Sequence, residues 1–114
     1  MKISRSYIPK YTVLSKSGYN EIVLCGNCAL YHVHYEILSI DLTLKGLFSL
    51  KEDLESKILA YNGNVPNDHR CILIVSLQDN LRLYFSLDDC RILTGMIVES
   101  INEIRNQPRK SKWN

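Results

Sequence analysis

In two stretches of this sequence, the apolar patterns of two strands are followed by the apolar pattern of a helix. This recurring order restricts the fold more than any other feature. The second stretch spans residues 70–105. Residues 70–77 form an apolar run of strand length, and residues 81–85 alternate as a half-buried strand does. Apolar residues then recur at the spacing of a helix that begins at Ser86: Cys90, Leu93, Ile97, Ile101 and Ile104. This stretch is predicted to form a strand–strand–helix unit.

The first stretch, residues 28–61, shows the same order. Strands are predicted at residues 29–35 and 38–42, with the chain reversing near Glu36. A helix is predicted from about residue 44 to residue 61. The apolar side of this helix has the same spacing as that of the second: Leu47, Leu50, Leu54, Ile58 and Tyr61.

An offset of 43 residues superimposes the two units. It aligns both helix stripes and pairs Thr43 with Ser86, two residue types whose hydroxyl caps a helix N-terminus. A rival offset of 37 residues matches residues 48–50 with residues 85–87, but it places the turn at Asp79 opposite an alternating run of the first unit. We therefore interpret the first match as an internal structural repeat. Whether the two units also share descent stays open.

The remaining segments flank these two units. Residues 1–10 form a basic lead-in, and residues 11–25 are predicted to form a hairpin around Gly18. Residues 62–69 form a linker loop, and residues 106–114 form a polar tail. Because each helix has one apolar stripe and each strand pair has an apolar face, neither unit can bury its surface alone. We predict one α+β domain with an antiparallel sheet, both helices on one face, and the second unit's strands at its centre.

The composition is that of an ordinary folded protein and excludes several classes of function. The chain has 114 residues, 46% of them hydrophobic, which suffices for a core without disulfide staples. The net charge of +2 gives no field strong enough to predict a nucleic-acid or membrane partner. The first ten residues lack the apolar segment of a secretory signal, and no apolar run approaches the ~20 residues of a spanning helix. We expect a cytoplasmic protein with reduced thiols.

The tetrapeptide Cys25-Gly-Asn-Cys28 is the most specific chemical motif of the sequence. Two thiolates separated by two residues fit half of a tetrahedral zinc site. A complete structural site needs two more ligands, and His69 and Cys71 are the preferred candidates. Under the offset of 43 residues, Cys28 and Cys71 begin equivalent strands, so we expect them to be near each other.

Other interpretations of the thiols and histidines stay open. Cys25 and Cys28 could form a redox pair, or they could be small buried thiols at a strand turn. His32 and His34 are poorer zinc candidates because both lie within one strand on the same face. No nucleophile and carboxylate are grouped with them, as a hydrolase would require. The acidic residues 88–89 are explained by the positive end of a helix dipole.

The segment Cys25-x-x-Cys28-x-x-Tyr31-His32 precedes an alternating strand, a threonine cap and a leucine-rich helix. This pattern, over roughly residues 20–105, resembles a family of short uncharacterised Bacteroidota proteins that is classed only as a domain of unknown function. The resemblance implies a small cytoplasmic protein and supplies no activity and no site residues.

The leading functional hypothesis is a non-enzymatic protein that acts by protein interaction, as a homodimer or with another protein. Aromatic side chains are enriched at interfaces, and the sequence holds more tyrosines than a core of this size requires: Tyr7, Tyr11, Tyr19, Tyr31, Tyr35 and Tyr84. The alternative is a zinc-stabilised module using Cys25 and Cys28, with zinc the one cofactor considered. A further alternative is a thiol-dependent enzyme with His32, His34 or Cys25 as the reactive group.

Overall fold

The structure is a computed structural model that describes residues 11–26, 28–75 and 81–106. The predicted lead-in at residues 1–10, the turn at Asp79 and the tail beyond residue 106 lie outside this part. The fold is α+β, as the sequence predicts. Its elements in chain order are β1 (Tyr11–Ser17), β2 (Asn20–Cys25), β3 (Tyr31–Tyr35), β4 (Leu38–Leu42), α1 (Leu44–Tyr61), β5 (Ile72–Ile74), β6 (Leu83–Phe85) and α2 (Leu87–Asn106).

The first four strands form an antiparallel sheet in the order β1-β2-β3-β4. Each strand is joined to the next by a short connection, so neighbours in sequence are neighbours in the sheet. The turn between β3 and β4 needs a residue with positive φ, and Glu36 adopts a φ of 57° there. Register pairs Val23 with His32 and His32 with Asp41, which places these three side chains in one row across the same face.

The opposite face of this sheet carries the core. Both helices pack against it and against each other, and α1 begins at the cap Thr43, whose Oγ1 accepts from the Gly46 N–H at 3.0 Å. The predicted helix stripes are confirmed as the buried sides of the two helices. The largest fully buried side chains are Ile22, Val33, Leu47, Leu50, Leu54, Ile72, Ile74, Leu87, Leu93 and Ile97.

The second strand pair departs from the predicted arrangement. β5 and β6 form a separate two-stranded sheet and do not lie at the centre of a single sheet. Ile72 and Ile74 are fully buried, and β5 contacts α1. The apolar character of these two residues therefore reflects packing against a helix. A strand at the centre of a sheet would need the same apolar side chains. The two predicted units have the same element order but their strand pairs lie in different sheets, so the internal repeat stays a prediction.

Asp89 anchors the start of α2 to the four-stranded sheet. Its N–H donates to Ser86 Oγ and its Oδ2 accepts from the Ser86 N–H, both at 2.9 Å, which is a capping box. Tyr35 of β3 donates its hydroxyl to Asp89 Oδ1 at 2.5 Å, and Arg70 donates to Oδ2 at 3.0 Å. Burial alone raises the pKa of this carboxyl, but the bonds from Ser86, Tyr35 and Arg70 outweigh burial and lower its pKa.

Replacing Asp89 by asparagine is expected to destabilise the protein by about 2 kcal/mol at neutral pH, since hydrogen bonds to a buried carboxylate are lost. Because the pKa of Asp89 is lower in the folded state, its contribution is present above the ordinary value of 3.8 and is lost as pH falls below it. Urea unfolding of wild type and Asp89→Asn should therefore differ at pH 7 and converge in acid. Asp88→Asn, a change at the exposed neighbouring carboxylate, serves as the control and should have little effect. An equal loss of stability in both variants would contradict this role of Asp89.

Candidate metal site

The loop between β2 and β3 folds Cys28 back over Cys25. The Cys25 N–H donates to the Leu30 carbonyl at 2.9 Å, and the Ala29 N–H donates to the Cys25 carbonyl at 3.2 Å. Ala29 adopts a φ of 58°, a left-handed conformation that turns the chain toward β3. Inside this turn the Cys28 N–H donates to Cys25 Sγ at 3.2 Å. A backbone donor aimed at a sulfur favours its thiolate form, which is the form that binds metals.

His32 of β3 completes a group of three ligand atoms with these cysteines. The register places His32 opposite Val23, two residues before Cys25 and on the same face of the sheet. The ligand atoms of Cys25, Cys28 and His32 all lie within 4.8 Å of one another, and Cys28 Sγ is 3.9 Å from His32 Nε2. Ligand atoms around a tetrahedral zinc ion are about 3.3–3.8 Å apart, as bond lengths of 2.0–2.3 Å require. The three side chains are therefore placed close to zinc-binding geometry.

Asp41 orients the imidazole of His32. It stands directly opposite His32 on β4, and its Oδ1 lies 2.5 Å from His32 Nδ1. The carboxylate accepts a hydrogen bond from Nδ1–H, so in the neutral imidazole the free electron pair is on Nε2, the nitrogen nearer to Cys28. The side-chain hydrogen bond with Cys25 raises the pKa of His32, and the hydrogen bond with Asp41 raises this pKa further. A hydrogen-bonded carboxylate in this position is the usual outer partner of a metal-binding histidine.

The proximity of the two thiols affects their ionisation. The hydrogen bond between the two thiol groups raises the pKa of Cys28, because it favours the protonated form of Cys28, and the charge of Cys25 raises this pKa further. A bound cation would reverse this effect, since its charge stabilises both thiolates together. Cys28 therefore lacks the lowered pKa that an activated nucleophile needs.

The structure does not bring all of the residues expected at a zinc site together. His69 and Cys71 lie in the exposed segment that precedes β5 and do not belong to the group around Cys25. His34 lies on the same face of the sheet as His32, but its Nδ1 is hydrogen-bonded to Ser39 Oγ at 2.9 Å. Cys90 is fully buried in α2, and burial raises the pKa of its thiol to about 11. His32, the poorer candidate on sequence grounds, is the residue that the structure adds to Cys25 and Cys28.

A depression adjoins this group on the helix-free face of the sheet. It has a volume of ≈ 370 Å³ and shares His32 with the group of ligand atoms. Tyr11 of β1 packs edge-on against the His32 ring, with the ring centroids 5.8 Å apart. The other lining residues are Val13, Glu21, Val23, His34, Ser39 and Asp41. The candidate site therefore consists of three donor atoms at the rim of an open, partly apolar depression.

Neither helix that the structure describes has the length and apolar character needed to cross a membrane. No curated protein and no solved structure matches the chain. One family model does match, over residues 8–107, which confirms the resemblance to a domain of unknown function. The chain therefore belongs to DUF6686, a family of unknown function.

Proposed function

We propose that this protein binds one zinc ion through Cys25, Cys28 and His32. The observation that supports this proposal is the convergence of two sulfur atoms and one imidazole nitrogen within 4.8 Å. Sulfur and imidazole donors favour zinc and related transition metals, whereas magnesium and calcium require oxygen donors. Asp41 supports the proposal because its bond to His32 Nδ1 leaves Nε2 available to the ion.

The alternative of a thiol-dependent enzyme has less support from the same geometry. Reactive cysteines are accessible to their substrates, whereas Cys25, the reactive thiol of that hypothesis, is buried. We therefore propose a zinc-binding protein and assign it no reaction.

Protein purified without chelator is expected to contain one zinc ion per chain by elemental analysis. Replacing His32 by asparagine, or Cys28 by serine, should remove most of that zinc, because each change deletes one donor atom. His69→Asn and Cys71→Ser are the matched controls, since both residues are exposed and lie outside the group. The controls should retain the ion.

Two outcomes would contradict the proposal. Absence of stoichiometric zinc from wild type, after refolding with the metal supplied, would exclude the site. Loss of zinc from the His69 and Cys71 variants but not from the His32 variant would instead support the ligand set Cys25, Cys28, His69 and Cys71.

Replacing Asp41 by asparagine is expected to weaken zinc binding about 10–100-fold without removing a donor atom. The amide accepts a hydrogen bond more weakly than the carboxylate, so His32 is less well oriented and less basic. Competition with a zinc-binding dye measures the affinity. Asp68→Asn, at an exposed carboxylate in the linker, is the control and should leave the affinity unchanged. Equal affinities of wild type and Asp41→Asn would show that Asp41 does not support the ion.

A second candidate function is self-association through the helix-free face of the four-stranded sheet. Tyr11 and Val13 of β1 are 59% and 53% exposed, and both line the depression on that face. Exposed aromatic and aliphatic side chains beside a depression are typical of interface centres. A second copy of this chain is the partner we consider, in accord with the homodimer expected from the tyrosine content.

Light scattering across a range of protein concentrations tests this second candidate. Under this second candidate function, wild type dimerises and the double variant Tyr11→Ser/Val13→Ser remains monomeric, since it removes the exposed apolar area. Tyr19→Ser, at a fully exposed tyrosine in the turn between β1 and β2, is the control and should still dimerise. Wild type that stays strictly monomeric at high concentration would exclude a homodimer.

A further inference from the structure

The proposed zinc site is one donor short of tetrahedral coordination. Among residues 11–26, 28–75 and 81–106, the group of close donor atoms contains Cys25, Cys28 and His32 and no fourth histidine, cysteine or carboxylate. The rest of the sequence holds one further side chain of these types, Asp79, which follows β5 of the other sheet. Zinc sites with three protein ligands keep the fourth position for water or an external ligand.

The depression provides space for such a ligand beside the ion. His32 belongs both to the donor group and to the wall of the depression. The volume of the depression, ≈ 370 Å³, corresponds to about a dozen water molecules. Tyr11, Val13 and Val23 supply apolar wall, and His34 and Ser39 supply polar groups. A small molecule coordinated to zinc through one end could therefore extend its other end into the depression.

The charges around the depression select among small ligands. Glu21 and Asp41 line it, and no lysine or arginine is among the described residues that do so. Lys16 is opposite Glu21 in the strand register, but it is exposed and is not part of the lining. Carboxylates in the wall attract an ammonium group and repel a carboxylate on the ligand.

We propose that the fourth coordination position of the zinc ion is taken by a small aminothiol whose ammonium group lies in the depression near Glu21. This inference rests on the zinc site proposed above. On binding, the ligand's S–H loses its proton to solvent, its sulfur forms a bond to zinc, and one water molecule leaves the ion. Zinc with two thiolates and a neutral imidazole carries no net charge, so a third thiolate adds one negative charge. The ligand's own ammonium group balances that charge, which favours an aminothiol over an anionic thiol.

Cobalt substitution makes binding at the fourth position visible. Co²⁺ takes tetrahedral sulfur and nitrogen sites as zinc does, and each added thiolate strengthens the sulfur-to-cobalt charge-transfer absorption. The Co²⁺-loaded full chain is titrated without oxygen, first with cysteamine and then, in a separate sample, with 3-mercaptopropionate. Both probes carry a thiol on a two-carbon spacer, and they differ in the sign of their other charge.

Cysteamine is expected to strengthen the charge-transfer band saturably and to bind about fivefold more tightly than 3-mercaptopropionate, as an exposed charge pair allows. In Glu21→Gln this preference should shrink toward equality. Glu103→Gln, at an exposed carboxylate of α2 remote from the depression, should keep the wild-type preference. Metal content measured after each titration should stay at one cobalt per chain, which distinguishes binding at the ion from removal of the ion.

The outcomes separate this inference from the proposal on which it depends. A chain that takes up no Co²⁺ overturns the zinc site and the aminothiol together. A chain that binds Co²⁺ with a sulfur charge-transfer band, but whose spectrum no thiol alters, overturns the aminothiol alone. Equal affinity for the two probes in wild type, or tighter binding of 3-mercaptopropionate, overturns the role assigned to Glu21. Loss of Co²⁺ binding in Asp79→Asn would show that the chain supplies its own fourth donor, and would also overturn the inference.

Discussion

The antiparallel register between β2 and β3 determines both the core and the candidate site. Because side chains alternate along a strand, pairing Val23 with His32 turns Val33 into the core and His32 to the helix-free face. A shift of one residue would bury the imidazole and expose valine, which the apolar inner face opposes. The register is therefore maintained by hydrophobic burial on one side of the sheet, and the position of His32 beside Cys25 on the other side is a geometric consequence of it.

The position of Asp41 depends on the same constraint, one strand further along. The two-residue turn at Glu36 sets the pairing of β3 with β4, so Asp41 falls directly opposite His32. Cross-strand partners are close enough for a short hydrogen bond without any loop having to bring them together. Two of the three donors lie within strands, and the loop contributes only Cys28. A site built mainly on strands is positioned more exactly than one built on loops, because the sheet fixes backbone directions.

Much of the fold follows from the sequence pattern, but the pairing between elements does not. Helix α1 is predicted residue for residue, because the spacing of Leu47, Leu50 and Leu54 reflects a local period of the helix. The separate sheet of β5 and β6 is not predicted, because a buried strand has the same apolar sequence pattern whether another strand or a helix covers it. The proximity of Cys25 and Cys28 is predicted because their spacing is local. The proximity of His32 to Cys25 is not predicted, because it depends on the β2–β3 register, which the order of residues along one strand does not reveal.

The separation of core and site also bears on what a bound ion would do for stability. The buried side chains of α1 and α2 lie on the inner face, and Asp89 ties α2 to Tyr35 there. None of these contacts passes through Cys25, Cys28 or His32. Small domains that fold only with zinc have little other core, whereas this chain buries a core of its own. A metal ion bound at the proposed site would therefore act on an already folded sheet, where its charge would neutralise two thiolates, so a ligand at the ion would alter the local surface and leave the fold unchanged.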